Sequence, residues 1–183
     1  METRKLTEIA ILIALAVVLE VIFTGLGAFF PILALPYGGR VSLSMLPLFI
    51  ITYRHGLWKG VTGGVIYGLL NLLLDGQLWH WASLPLDYII AFGVIGFGYV
   101  GVVLLGKNFK GFTLMVVIGV VLRFISHWLS GWVLFSEYMP EEFTNAKLYS
   151  LVYNAYYLLP SMVLIIVVGY FIFGRLQKAN IFE

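Results

Sequence analysis

LTEIAILIALAVVLEVIFTGLGAFF, residues Leu6 to Phe30, is apolar at almost every position and is broken only by Glu8, Glu20 and two threonines. A helix that crosses a bilayer needs roughly 20 mostly apolar residues. This stretch supplies them, with Arg4 and Lys5 just ahead of it. A cleaved signal peptide would show a small-residue cleavage site after a short apolar core. Here the apolar run continues, so it is expected to be retained as the first span.

The rest of the chain repeats the pattern. Further apolar segments run over 41–53, 57–74, 84–105, 111–135 and 149–173, cut at charged or Pro/Gly-rich breaks. The second is short and is expected to be interrupted by Pro47, and an irregular stretch, Pro31 to Arg40, precedes it. Only 11% of the 183 residues are charged, against about 25% in a soluble domain. The chain lacks the polar groups to cover itself in water, so the solvent is lipid. The fold class is an all-α integral membrane protein: one domain, residues 1–183, of six transmembrane helices. A net charge of +2 gives no sign of nucleic acid as a partner. With no cysteine, disulfides, thiol catalysis and thiolate metal sites are excluded.

Charge sets the orientation. Arg4, Lys5, Arg54, Lys59, Lys107, Lys110, Arg175 and Lys178 fall in loops on one side, while Asp75, Glu137, Glu141 and Glu142 fall on the other with Arg40 and Lys147. Basic loops stay cytoplasmic, which puts both termini inside a multi-pass cell-membrane protein. Tyr37, Trp79, Trp81, Phe135, Tyr138 and Tyr149 then lie at outer span ends. An interfacial belt is their ordinary role, and that reading is preferred for Trp81 and Tyr138. The sharper alternative is a ring-lined pocket open to the outside.

Polar groups at membrane depth are costly and mark functional sites. Asp87, His127 and Asn154 come from three different spans to a similar outer depth. A carboxylate, an imidazole and an amide among rings suit a small, flat, cationic ligand: countercharge, cation–π attraction and hydrogen bonds to ring nitrogens. Arg123, His127 and Gly131 share one helical stripe. A purely structural alternative pairs Asp87 with Arg123 and gives Asn154 an interhelical hydrogen bond. Glu20 has no assigned role beyond such a bond.

Two motifs fail. Gly101 to Asn108 nearly spells a phosphate-binding loop, but Asn108 replaces the hydroxyl residue and no strand precedes it. His55, His80 and His127 have no metal-ligand spacing. No nucleophile–base pair is evident, so the chain is not expected to be an enzyme. Gly60, Gly64 and Gly68 form a small-residue stripe expected to pack within the bundle, and Ala10 and Ala14 form another that is able to face a second subunit.

Several stretches, in order, carry a family resemblance: Pro36-Tyr-Gly-Gly39 with Val41 to Pro47, Tyr53-Arg-His-Gly56, Leu84 to Phe92, Leu122 to Gly131, and Tyr149 to Asn154. The chain resembles the thiamine-specific substrate-binding (S) components of energy-coupling factor (ECF) vitamin transporters, the ThiT or YuaJ family. The resemblance implies thiamine as ligand and no cofactor. It implies an outward-facing pocket and, as partners, a membrane coupling subunit with two ATPases. It assigns ligand contacts to Asp87, Tyr88, His127, Gly131, Tyr149 and Asn154, and rings to Tyr67 and Trp79. Some members place a Trp eight residues after the histidine, where this chain has Phe135; Trp132 is close by, and either ring is a candidate to stack on the thiazolium. The resemblance makes residues 31–40, with Tyr37, a lid, and Ala10 and Ala14 the contact to the coupling subunit. An S component for another vitamin and a self-sufficient proton-coupled transporter are the alternatives.

Overall fold

The computed structural model describes residues 2–75, 78 and 80–178. Six helices carry the chain: α1 (Glu2–Phe29), α2 (Met45–His55), α3 (Leu57–Asp75), α4 (Leu84–Leu105), α5 (Phe109–Val133) and α6 (Ala146–Lys178). No strand occurs among the described residues; a lone bridge joins Ala34 to Arg40. All helices except α2 are long and apolar enough to cross a membrane. Their outward faces present Ile11, Leu15, Val103, Leu104, Val163 and Phe171. Lipid solvates such faces and water does not, and the protein is an all-α integral membrane protein.

The second segment departs from expectation. The helix there begins at Met45, not at 41, and Pro47 does not interrupt it. Pro47 sits in the first turn, where the backbone N–H has no intrahelical partner to lose. Eleven residues rise about 16 Å at ~1.5 Å each, roughly half of a bilayer core. At its inner end Arg54 pairs with Glu8 of α1, Nε to Oε1 at 2.6 Å. The irregular segment 31–44 covers the remaining distance to the outer face. Non-helical backbone is tolerated at that depth where it lines a cavity, and this segment does so.

The glycine stripe of α3 packs within the bundle, as its spacing predicts. A Cβ on Gly64 or Gly68 would run into the carbonyl of Phe92 or Tyr88 on α4. The failed phosphate-loop motif is a helix link. Gly106 takes φ 83° at the end of α4, and Asn108 caps α5 by accepting the Gly111 N–H at 3.0 Å. Within α4 the winding changes, from a π turn over Leu84–Ile90 to 3-10 over Val94–Tyr99. Asp87 stands on the π turn, a wide turn frequent at functional sites.

Candidate ligand-binding site

α1, the 31–44 segment, α4, α5 and α6 enclose a cavity of about 170 Å³ toward the outer end. Asp87 of α4 is its polar centre. His127 Nδ1 lies 3.0 Å from Asp87 Oδ1, and Ser130 donates its hydroxyl to Oδ2 at 2.6 Å. Both residues come from α5, one turn apart, so a single helix face grips both carboxylate oxygens. Arg123, one turn deeper, donates from Nε to His127 Nε2 at 3.1 Å. Its guanidinium lies 4.0 Å over the Phe92 ring.

The opposite wall holds a second acid. Glu20 of α1 is buried. Its Oε1 lies 3.3 Å from Arg40 Nε, and its Oε2 accepts from Ser42 at 3.1 Å and from Tyr67 at 3.2 Å. Arg40 also donates to Thr24 of α1. The cavity is thus bounded by two carboxylates, each joined to an arginine, directly or through an imidazole.

Rings close the mouth. Tyr138 stands edge-on to Tyr37 and tilted against Phe135, each at 6.0 Å between centroids. Tyr149, Tyr153 and Tyr157 follow one another up α6 at 6.0 Å spacings. Tyr37 holds φ 63°, ψ 22°, a left-handed conformation uncommon for a side-chain-bearing residue and typical of ligand clamps. A flat cation entering here would meet carboxylates in the walls and π faces at the mouth.

The comparisons with known proteins match this architecture. Residues 6–181 match the model of the thiamine transporter protein (Thia_YuaJ) family. The chain belongs to the thiamine transporter family. It is 37% identical over 190 aligned residues to the thiamine transporter ThiT of Bacillus subtilis, covering 96% of this chain and 95% of that one. It is 29% identical to a thiamine transporter ThiT of Lacticaseibacillus paracasei, over 70% of each chain. A solved structure of ThiT from Listeria monocytogenes shares the fold, with a TM-score of 0.80, 24% identity and 97% coverage of both chains. This thiamine transporter family member is accordingly a multi-pass plasma-membrane protein, and transport, not catalysis, is what its relatives do.

Within this family member, Asp87, Tyr88, His127, Gly131, Asn154, Tyr149, Phe135 and Tyr37 all line the cavity. Tyr67 does not. It is fully buried behind Glu20, its ring 4.8 Å from Phe92, and it reaches the cavity only through its hydroxyl on that acid. Trp132 also lies outside. Its ring lies tilted against Trp128 at 5.7 Å, beneath the ammonium of Lys147, and so leaves the inner position to Phe135. Trp79 lies outside the described residues. Trp81 is 78% exposed, as a belt residue would be, whereas Tyr138, also expected in the belt, lines the cavity. Gly131 admits α6: a Cβ there would meet the Ser150 hydroxyl.

The purely structural pairing is not what the chain does. Among the described residues Asp87 and Arg123 form no direct ion pair; His127 stands between them. Asn154 bonds within its own helix, donating to the Ser150 carbonyl at 2.8 Å and accepting from Tyr157 at 2.9 Å.

Glu20, Arg40, Ser130 and Tyr153 had no assigned site role in the sequence. Tyr153 fixes the 31–44 segment: its hydroxyl accepts the Gly39 N–H at 3.0 Å and donates to the Pro36 carbonyl. Gly39 lacks the Cβ that would strike Tyr153 and Tyr157. Tyr153→Phe removes both bonds and leaves the ring in place. It is expected to cost about 1–2 kcal/mol, read as a lower unfolding temperature in detergent, with faster proteolysis between residues 31 and 44. Unchanged values on both counts would show that Tyr153 does not hold the segment.

Proposed function

We propose that this chain is the thiamine-binding S component of an ECF-type transporter. It captures thiamine from outside without ATP and delivers it with a membrane coupling subunit and two ATPases. One observation carries the ligand assignment: Asp87, gripped by His127 and Ser130 in a ring-mouthed cavity. Thiamine is a permanent cation with a flat pyrimidine. An ionised carboxylate supplies its countercharge, and Phe135, Tyr138 and Tyr37 offer faces for cation–π attraction. Tyr88, Tyr149 and Asn154 supply polar contacts, and Gly131 lets Ser150 of α6 close the wall beside them. Names borne by the relatives point to the same ligand.

The partner assignment rests on the resemblance and on α1. Ala10 and Ala14 are exposed on that helix, and small residues allow close helix approach. The segment 31–40 serves as the lid. No cofactor is required in this chain.

Titration of the purified protein with thiamine is expected to give a Kd below about 1 μM without ATP. Ala14→Trp is expected to leave that binding intact and to abolish ATP-dependent uptake by vesicles containing the coupling subunit and ATPases. Uptake by this chain alone would overturn the S-component assignment. Failure to bind thiamine, with another vitamin bound tightly, would overturn the ligand.

A further inference from the structure

The function proposed above gives Arg123 no task, yet Arg123 begins a chain of hydrogen bonds whose direction it alone decides. A guanidinium has donors and no acceptor. Arg123 Nε, 3.1 Å from His127 Nε2, must therefore donate. That makes Nε2 the lone-pair nitrogen and places the proton of the neutral ring on Nδ1. Nδ1, 3.0 Å from Asp87 Oδ1, then donates to the carboxylate. Ser130 donates to the other oxygen at 2.6 Å. Both Asp87 oxygens thus accept from α5, with lone pairs left for donors on a ligand.

We propose that Arg123 is a positioning residue that locks His127 in the neutral Nδ1–H tautomer and so keeps Asp87 an acceptor toward that ring. The pocket's affinity for a cationic, hydrogen-donating ligand is then nearly independent of pH from about 5 to 8, where a free imidazole titrates. A doubly protonated His127 would set an Nε2–H against the Arg123 Nε–H, donor against donor and cation against cation. It would also place a positive ring beside a positive ligand. The groups facing His127 bear this out. Asp87 comes from α4, Arg123 from its own helix, and Tyr157 from α6 with its ring 6.3 Å away. Across the cavity stand Glu20 of α1 and Arg40, which neutralise one another. Phe92 beneath the guanidinium keeps Arg123 in register.

Without Arg123 the lock opens. His127 is then free to carry its proton on Nε2, which sets the Nδ1 lone pair against the Asp87 carboxylate, or to take up a second proton from solvent, which sets a positive ring beside a cationic ligand.

The identity of the ligand rests on the thiamine reading, but the lock does not, so its test begins without ligand. Protein labelled with 15N-histidine is examined by NMR across about pH 5 to 8, with the His127 signals assigned by comparison with His127→Gln. The expected spectrum has a protonated Nδ1 and an unprotonated Nε2 throughout. In Arg123→Met a second tautomer and a titrating ring are expected, and thiamine affinity becomes pH-dependent, falling by about ten-fold or more toward the acid end. Arg123→Lys restores the single tautomer and the flat profile, because an ammonium also only donates. A protonated Nε2 in the unsubstituted protein overturns the proposal. So does Arg123→Met with an unchanged tautomer and a flat affinity profile. Should Arg123→Met fail to fold, the unsubstituted spectrum and Arg123→Lys decide. Failure of the unsubstituted protein to bind thiamine at any pH would overturn the ligand assignment and leave the spectrum to judge the lock.

Discussion

Asp87→Asn is expected to weaken thiamine binding by about 2 kcal/mol, near 30-fold, with little change in the fold. The substitution keeps the shape and removes the charge. A charge-assisted hydrogen bond contributes about 1.5–3 kcal/mol, and an amide that faces a permanent cation forfeits that gain. A second effect works in the same direction. His127 offers an N–H to this side chain and Ser130 an O–H, but an amide has one oxygen to accept with. Its NH2 must then turn toward a donor or toward the ligand, and either orientation reduces complementarity to a donor-bearing cation. Isothermal titration reads the loss directly. An affinity within two-fold of the parent would remove Asp87 as the countercharge and leave the aromatic mouth as the main source of binding.

Much of the fold was open to reading because the bilayer imposes a strong pattern. Long apolar runs with basic breaks define α1, α3, α4, α5 and α6 within a few residues. α2 was misjudged for a physical reason: Pro47 looks like an interruption in an apolar run, yet the first turn of a helix has no hydrogen bond for proline to break. Asp87, His127 and Asn154 were legible as costly polar groups at one depth. Phe135 and Trp132 stayed equal candidates, because the helix ends at Val133 and its phase does not extend to 135. Glu20 was visible as an oddity, but its partner Arg40 lies in an irregular segment without periodicity. No spacing rule brings residues 20 and 40 together. Ser130 was missed because a serine on a helix is unremarked until an acid from another helix meets it.

Glu20→Ala is expected to be the most damaging single change in the walls of the cavity, lowering stability by about 3–5 kcal/mol. The ion pair with Arg40 leaves only 9% and 11% of the two side chains exposed. Removing the acid takes a carboxylate from the buried Arg40 guanidinium, which also donates to the carbonyl of Gly38 and the hydroxyl of Thr24. Ser42 and Tyr67 lose the same acceptor. A buried ion pair is not in itself a large source of stability; most of the penalty comes from leaving one partner uncompensated. That distinction fixes the control. Glu20→Ala with Arg40→Met is expected to recover part of the unfolding temperature lost by Glu20→Ala alone. It is not expected to recover thiamine affinity, because Arg40 and Ser42 tie the 31–44 segment to α1 and the double variant still lacks that tie. A double variant less stable than the single one would mean that Arg40 holds the segment through contacts other than the acid. Recovery of both stability and affinity would mean that the 31–44 segment keeps its place without its tie to α1, and that Glu20 serves only to neutralise an arginine.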